Sequence, residues 1–176
     1  MAIRKLIAGI HQFQTRYWGE NRELYQRLAK DGQFPEALFI SCCDSRVDPL
    51  TMTRGQPGDL FIHRNIGNFV PPYSEGFREA SEVATTVEYA VEHLKVSDII
   101  VCGHSDCGAM RALYKERSNF AATPHIAKWL EHGDKTMAVV AANYPELSRE
   151  ERYEITAGEN VLLQMENLRT YPVVRK

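Results

Sequence analysis

Three short apolar runs decide which folds are open to this chain. They are Ala37-Leu38-Phe39-Ile40-Ser41-Cys42, Leu60-Phe61-Ile62-His63 and Asp98-Ile99-Ile100-Val101-Cys102, each ending in small or polar residues. All three are near-continuously apolar, the pattern of strands buried on both faces of a parallel sheet. Between the second and third, Phe77, Ala80, Val83, Ala84, Val87, Val91 and Leu94 recur at helical spacing, with Glu79, Glu82 and Glu92 off that stripe. The rhythm predicts an α/β fold: a central, mostly parallel β-sheet flanked by helices, with right-handed crossovers. Helices are expected at both ends. Ile3, Leu6, Ile7, Ile10 and Phe13 form a stripe near the start, and a second helix is expected from Asn21 to Lys30, stopping at Gly32. Ser148-Arg149-Glu150-Glu151 is a capping-box pattern opening a helix that carries Val161, Leu162, Met165 and Leu168 and stops at Pro172. No repeat or linker interrupts the pattern. One domain over residues 1–176 is expected, with a helical arm over 1–31 and an α/β core over 36–176.

Composition narrows the function. Of 176 residues, 44% are hydrophobic and 25% charged, ordinary globular usage that argues against disorder. A chain of this size buries roughly 70% of its extended surface on folding, enough for a core without staples. The formal charge of -2, with both signs mixed along the chain, advertises no nucleic-acid partner. No apolar stretch approaches the ~18 residues of a membrane span, so no membrane partner is expected. Arg4, Lys5, His11 and Arg16 interrupt the N-terminus, which therefore lacks the apolar stretch of a signal peptide. A cytoplasmic setting is the expectation. There, four cysteines read as metal ligands, reactive thiols or core residues before disulfides.

The cysteines cluster at strand ends. Cys42 and Cys43 close the first run, while Cys102 and Cys107 bracket the end of the third. His104-Ser105-Asp106-Cys107 sets an imidazole and a thiol three residues apart where a strand turns into the next element. If the first strand lies between the other two, Cys42 faces this pair across the crevice where ligands bind in α/β sheets. Two thiolates and one imidazole suit zinc, with a fourth position open to water. Cys102 reads as a small core hydrophobe, and Cys43 points away from Cys42 on a strand. His63 reads as structural or pocket-lining, and His11, His93, His125 and His132 carry no assigned role. Asp44-Ser45-Arg46 follows the first ligand directly. Arg46 can hold Asp44 in a bidentate pair that keeps the carboxylate off the open position, and Asp44 or Ser45 could equally just cap a helix.

Taken together, these motifs resemble the β-class carbonic anhydrases. Cys42-Cys43-Asp44-Ser45-Arg46 matches the CxDSR signature, His104 to Gly108 the HxxCG signature, and Arg64-Asn65-Ile66-Gly67-Asn68 the RNxxN segment. Glu88-Tyr89-Ala90-Val91 and Asn167 to Pro172 fit further family blocks, so the resemblance covers nearly the whole chain. Val70-Pro71-Pro72-Tyr73 points to the plant and cyanobacterial branch. The resemblance implies one zinc per chain on Cys42, His104 and Cys107, with Asp44 and Arg46 as the paired dyad beside it. It implies a CO2 pocket from Gln33, Phe61, Ile66, Tyr89 and the Gly108 backbone N–H, and reversible hydration of CO2 to bicarbonate and a proton. A homodimer or higher homo-oligomer is implied, with the N-terminal helix lying on a neighbour and the site near the interface. A carboxysome is the alternative location if the source is cyanobacterial. Two thiolates cancel the dication's formal charge, so activity should grow towards alkaline pH. Phe39 stands where family members that close the site with the aspartate typically carry tryptophan, so Asp44 is expected to stay on Arg46. The family continues past the Asn167–Pro172 segment with a further parallel strand that this sequence does not include, which leaves the third strand at a sheet edge. Two close alternatives are a zinc hydrolase acting on COS or CS2 and a non-catalytic zinc-stabilised scaffold. A thiol redox role is disfavoured because there is no CxxC.

Overall fold

β1 (Ala37–Cys42) pairs in parallel with both β2 (Leu60–Asn65) and β3 (Asp98–Cys102), so the sheet order is β2-β1-β3. The structure is a computed structural model and describes residues 2–74 and 81–175. Phe77 and Ala80 of the expected helical stripe, and Glu79 beside it, lie outside the described residues. The register sets Cys42 level with Asn65 and Ser41 level with Cys102, which brings the C-terminal ends of all three strands together. The chain divides into two compact units, Met1–Phe34 and Pro35–Lys176.

Burial on both faces holds for β1 alone. All six of its residues are buried, whereas Ile62 of β2 and Ile100 of β3 are 36% and 39% exposed. The three runs look alike in sequence, but among the described residues only β1 has a strand on each side.

In the second unit, α4 (Pro49–Thr53) starts on Asp48, whose carboxylate accepts from Thr51 N–H at 2.7 Å, with Pro49 in the first turn. α5 (Glu82–Glu88) starts on Ser81 and runs into a π turn over Tyr89–His93. Ala90 is buried with Val83 and Val87 at i, i+4 and i+7, while Val91, equally compatible with helical spacing, is half-buried. After β3 come α6 (Gly108–Leu113), α7 (Pro124–Leu130), α8 (Asp134–Asn143) and α9 (Arg149–Leu168). Ser148 and Glu151 make the reciprocal bonds of a capping box at the start of α9.

The inward face of α9 departs from expectation. Leu162 and Met165 are 57% and 45% exposed, while Asn160, Leu163, Gln164, Asn167 and Leu168 are buried. Leu168 is buried as expected, but hydropathy misses much of the inward face because three of its residues are amides with backbone partners.

One core packs Leu38 and Ile40 of β1 with Val70, Val83, Val87, Leu168 and Tyr171. Adjacent to the strand ends, Cys42, Phe69, Cys107, Met110, Leu113 and Leu130 form a second cluster. The first unit is helical: α1 (Ala2–Gln12), a π turn (Phe13–Tyr17), α2 (Trp18–Glu20) and α3 (Arg22–Asp31). Phe13 stacks on Tyr17 at 5.4 Å and Trp18 on Tyr25 at 5.0 Å, holding α3 to the preceding helix. Ile3, Leu6, Ile7 and Ile10 of the predicted stripe are all exposed.

Candidate metal centre

The sheet delivers three donors to one point. Cys42 is the last residue of β1, while His104 and Cys107 flank a turn between β3 and α6. Asp106 sits in that turn at φ 53°, a left-handed conformation aspartate tolerates, and so lets the chain reverse within three residues. One ligand atom from each of Cys42, His104 and Cys107 lies within 4.8 Å of the others. The two sulfurs are 4.0 Å apart and both cysteines are buried.

The donor chemistry fits a thiophilic cation. His104 Nδ1 lies 2.8 Å from Ser105 O; a carbonyl only accepts, so Nδ1 holds the proton. Nε2 is buried and lies beside the two sulfurs. Without a metal, the thiols share a proton. The hydrogen bond with Cys107 pulls the Cys42 thiol down, helped by N–H donors such as Gly67 at 3.5 Å, while the same bond and burial hold Cys107 up. Backbone N–H groups of Ala109 and Met110 oppose that rise and favour a Cys107 thiolate once the shared proton leaves.

Asp44 is gripped by Arg46. Nε donates to Oδ1 at 2.9 Å, Nη2 to Oδ2 at 2.8 Å, and the Arg46 backbone N–H to Oδ1 at 3.0 Å. The side-chain bonds first, and then the backbone bond, hold the Asp44 carboxyl well below the usual carboxylate range. Asp44 Oδ2 stands 3.9 Å from His104 Nε2, at the edge of the ligand set. Arg46 Nη2 also donates to Asp106 O at 3.0 Å, tying the first ligand loop to the second.

A family model described as carbonic anhydrase matches residues 37–176, which include every one of these groups. The chain belongs to the carbonic anhydrase family. It is similar to the carbonic anhydrase of Synechococcus elongatus, 43% identical over 173 residues that cover 98% of this chain and 62% of that one. It spans about three fifths of the length of that relative and of the one from Synechocystis, of which it covers 61%. The carbonic anhydrase of Pseudomonas aeruginosa is 41% identical over 174 residues, 99% of this chain and 76% of that one. Among solved structures, the β-carbonic anhydrase CcaA superposes with a TM-score of 0.92 at 41% identity, over 99% of this chain and 76% of that one. A tetrameric β-carbonic anhydrase of Sordaria macrospora gives 0.84 at 30% identity, over 99% and 84%. These likenesses place the chain in the β class of the family.

The expected pocket residues fall in different places. Ile66, 49% exposed, adjoins Gly67, whose N–H reaches Cys42. Gly108 opens α6 directly after Cys107, with nothing within 4 Å of where a Cβ would stand. Phe61 pairs with Leu38 in the register, four residues before the Cys42–Asn65 level, or about 13 Å of strand rise. Its ring lies 5.7 Å from Tyr89, which is 45% exposed. Gln33 is exposed in the first unit, between α3 and β1.

Cys43 is exposed, and Cys102 is half-buried with its thiol raised by burial. Arg64 is a functional neighbour that sequence reasoning left without a role. Its guanidinium donates to Cys42 O at 3.0 and 3.1 Å and to Asp44 O at 2.8 Å, fixing the backbone on both sides of Cys43. Its place directly after the second apolar run was the available signal.

Proposed function

We propose that this chain hydrates CO2 reversibly to bicarbonate and a proton, with one zinc ion held by Cys42, His104 and Cys107. The observation that carries this reading is the convergence of two thiols and an imidazole nitrogen at the strand ends, in a chain of this family. When bound, zinc supplies a Lewis acid and makes a water molecule acidic enough to serve as nucleophile.

The protein's own groups then divide the work. Asp44, kept ionised by Arg46, accepts a hydrogen bond from the attacking oxygen and orients its lone pair. Arg46 keeps the carboxylate from occupying the position that substrate needs. Ile66 contributes an apolar wall, and the space beside Gly108 admits a small linear molecule next to a backbone N–H that can polarise one of its oxygens. Phe61 and Tyr89 complete the pocket from a second copy of the chain. The separation of the Phe61–Tyr89 pair from the Cys42 level and the exposed apolar face of α1 both support a homodimer or larger homo-oligomer. Thiolate ligands persist in a reducing compartment, which favours the cytoplasm. No helix among the described residues is long and apolar enough to cross a membrane.

Stopped-flow CO2 hydration by zinc-replete protein tests the reading. Wild-type rates should rise from pH 7 to 9, Asp44→Asn should lose about 10–100-fold, and Cys107→Ser should lose zinc and activity together. Wild-type protein holding stoichiometric zinc yet no faster than the uncatalysed reaction would overturn it.

A further inference from the structure

α9 carries a row of buried amides on the face that normally packs as hydrocarbon. Asn160, Gln164 and Asn167 stand at i, i+4 and i+7 with exposures of 1%, 0% and 9%. Three amides hidden in a core are costly unless each is paired. Each of the three makes one bond to the same short strip of main chain, and Asn160 Oδ1 also accepts from Thr136 Oγ1 at 3.4 Å. Asn160 Nδ2 donates to Gly67 O at 3.0 Å, Gln164 Oε1 accepts from Val70 N–H at 2.7 Å, and Asn167 Nδ2 donates to Val70 O at 2.9 Å. The row is also joined along itself, Gln164 Nε2 donating to Asn160 Oδ1 at 2.9 Å and Asn167 Nδ2 to Gln164 Oε1 at 3.3 Å.

The same strip is held from its other sides. Asn65 both donates to Phe69 O and accepts from Phe69 N–H at 2.9 Å, and Trp129 Nε1 donates to Ile66 O at 2.7 Å. Gly67 adopts φ 80°, and a Cβ there would come within 2.9 Å of the Ala109 Cβ, so the strip lies tight under the start of α6. A network this dense over five residues fixes position, since a satisfied buried polar cluster defines one arrangement of its partners. What leaves the strip towards the metal centre is the Gly67 N–H, aimed at Cys42 Sγ from 3.5 Å.

We infer that the Asn160–Gln164–Asn167 row is a positioning device for the Gly67 N–H, and so sets how much charge the Cys42 sulfur gives to a bound metal. The inference rests on the zinc reading above. Asn160 is the critical member because it grips the carbonyl of Gly67, one Cα away from the peptide that carries the N–H, whereas Asn167 grips the strip three residues further on. An N–H pointing at a thiolate stabilises its lone pairs, so loosening it moves sulfur-to-metal charge transfer to lower energy.

The full chain loaded with Co(II) gives the test, with Asn160→Leu and Asn167→Leu compared. Each loses a buried bond to the strip, and both should unfold more easily. Only Asn160→Leu should shift the thiolate-to-cobalt band to lower energy. Equal shifts in both variants, or none in either, overturn the inference. A second measurement needs no substitution. In wild-type protein loaded with 113Cd, the Gly67 amide proton should show scalar coupling to the metal through sulfur. Absence of that coupling in protein that binds cadmium overturns the inference whatever the variants do. Wild-type protein that takes up neither metal sinks the zinc reading and this one together, whereas normal uptake with indistinguishable bands sinks this one alone.

Discussion

His63 is buried in β2 with both ring nitrogens engaged, Nε2 at 3.2 Å from Asn65 Nδ2 and Nδ1 at 3.3 Å from Thr86 Oγ1. An amide nitrogen only donates, so Nε2 accepts and the proton sits on Nδ1, donating to Thr86, whose hydroxyl passes its own hydrogen to Glu82 O. A second ring proton would meet the Asn65 amide head-on. Burial accordingly holds the His63 pKa below its ordinary 6.5. The unfolded chain then binds a proton that the folded chain refuses in the window between the lowered value and 6.5. His63 therefore leaves the fold undisturbed above that window and destabilises it as pH falls through it. His132, lowered by burial as well, adds a parallel slope, so the comparison has to be made at one position. The melting temperature of wild type should fall between pH 7 and pH 5 more than that of His63→Gln. Matching slopes by circular dichroism would remove His63 from the account.

At the scale of elements, the capping box of α9 gives a clean measurement, because Ser148 lies on the surface away from the ligands. Ser148→Ala should cost about 1 kcal/mol in urea unfolding and leave metal binding unchanged. This cap was readable from four residues, as were the bounds of β1 and β3, because each rests on local chemistry. β2 was read two residues short: Arg64 and Asn65 look like loop residues, yet their side chains serve as clamps on neighbouring backbone. The clustering of Cys42, His104 and Cys107 was legible for a related reason, since cysteine and histidine at strand ends have few other uses in that pattern. What stayed hidden depends on neighbours distant in sequence. Strand order decides which apolar run is buried twice, helical spacing from Val87 admits Ala90 and Val91 alike though only Ala90 is buried, and the buried amides of α9 take on meaning only beside the Gly67–Val70 backbone. No periodicity records a hydrogen bond made 93 residues away.

For the whole molecule, the geometry of the donors would make a bound metal and the sheet interdependent. Cys42 ends the central strand and Cys107 follows its outer neighbour, 65 residues later. Among the described residues β3 pairs on one side only, with Ile100 partly open to solvent. Removing zinc with a chelator should therefore lower the melting temperature, and amide exchange over residues 98–102 should quicken before that over 37–42 changes. Uniform acceleration across both strands would show that the cation is not needed there. The arrangement acts as a clasp whose weaker half holds two of the three hooks. A population short of zinc would come undone along that margin first, exposing a raw β-edge to other chains, so metal supply would govern clumping as much as turnover.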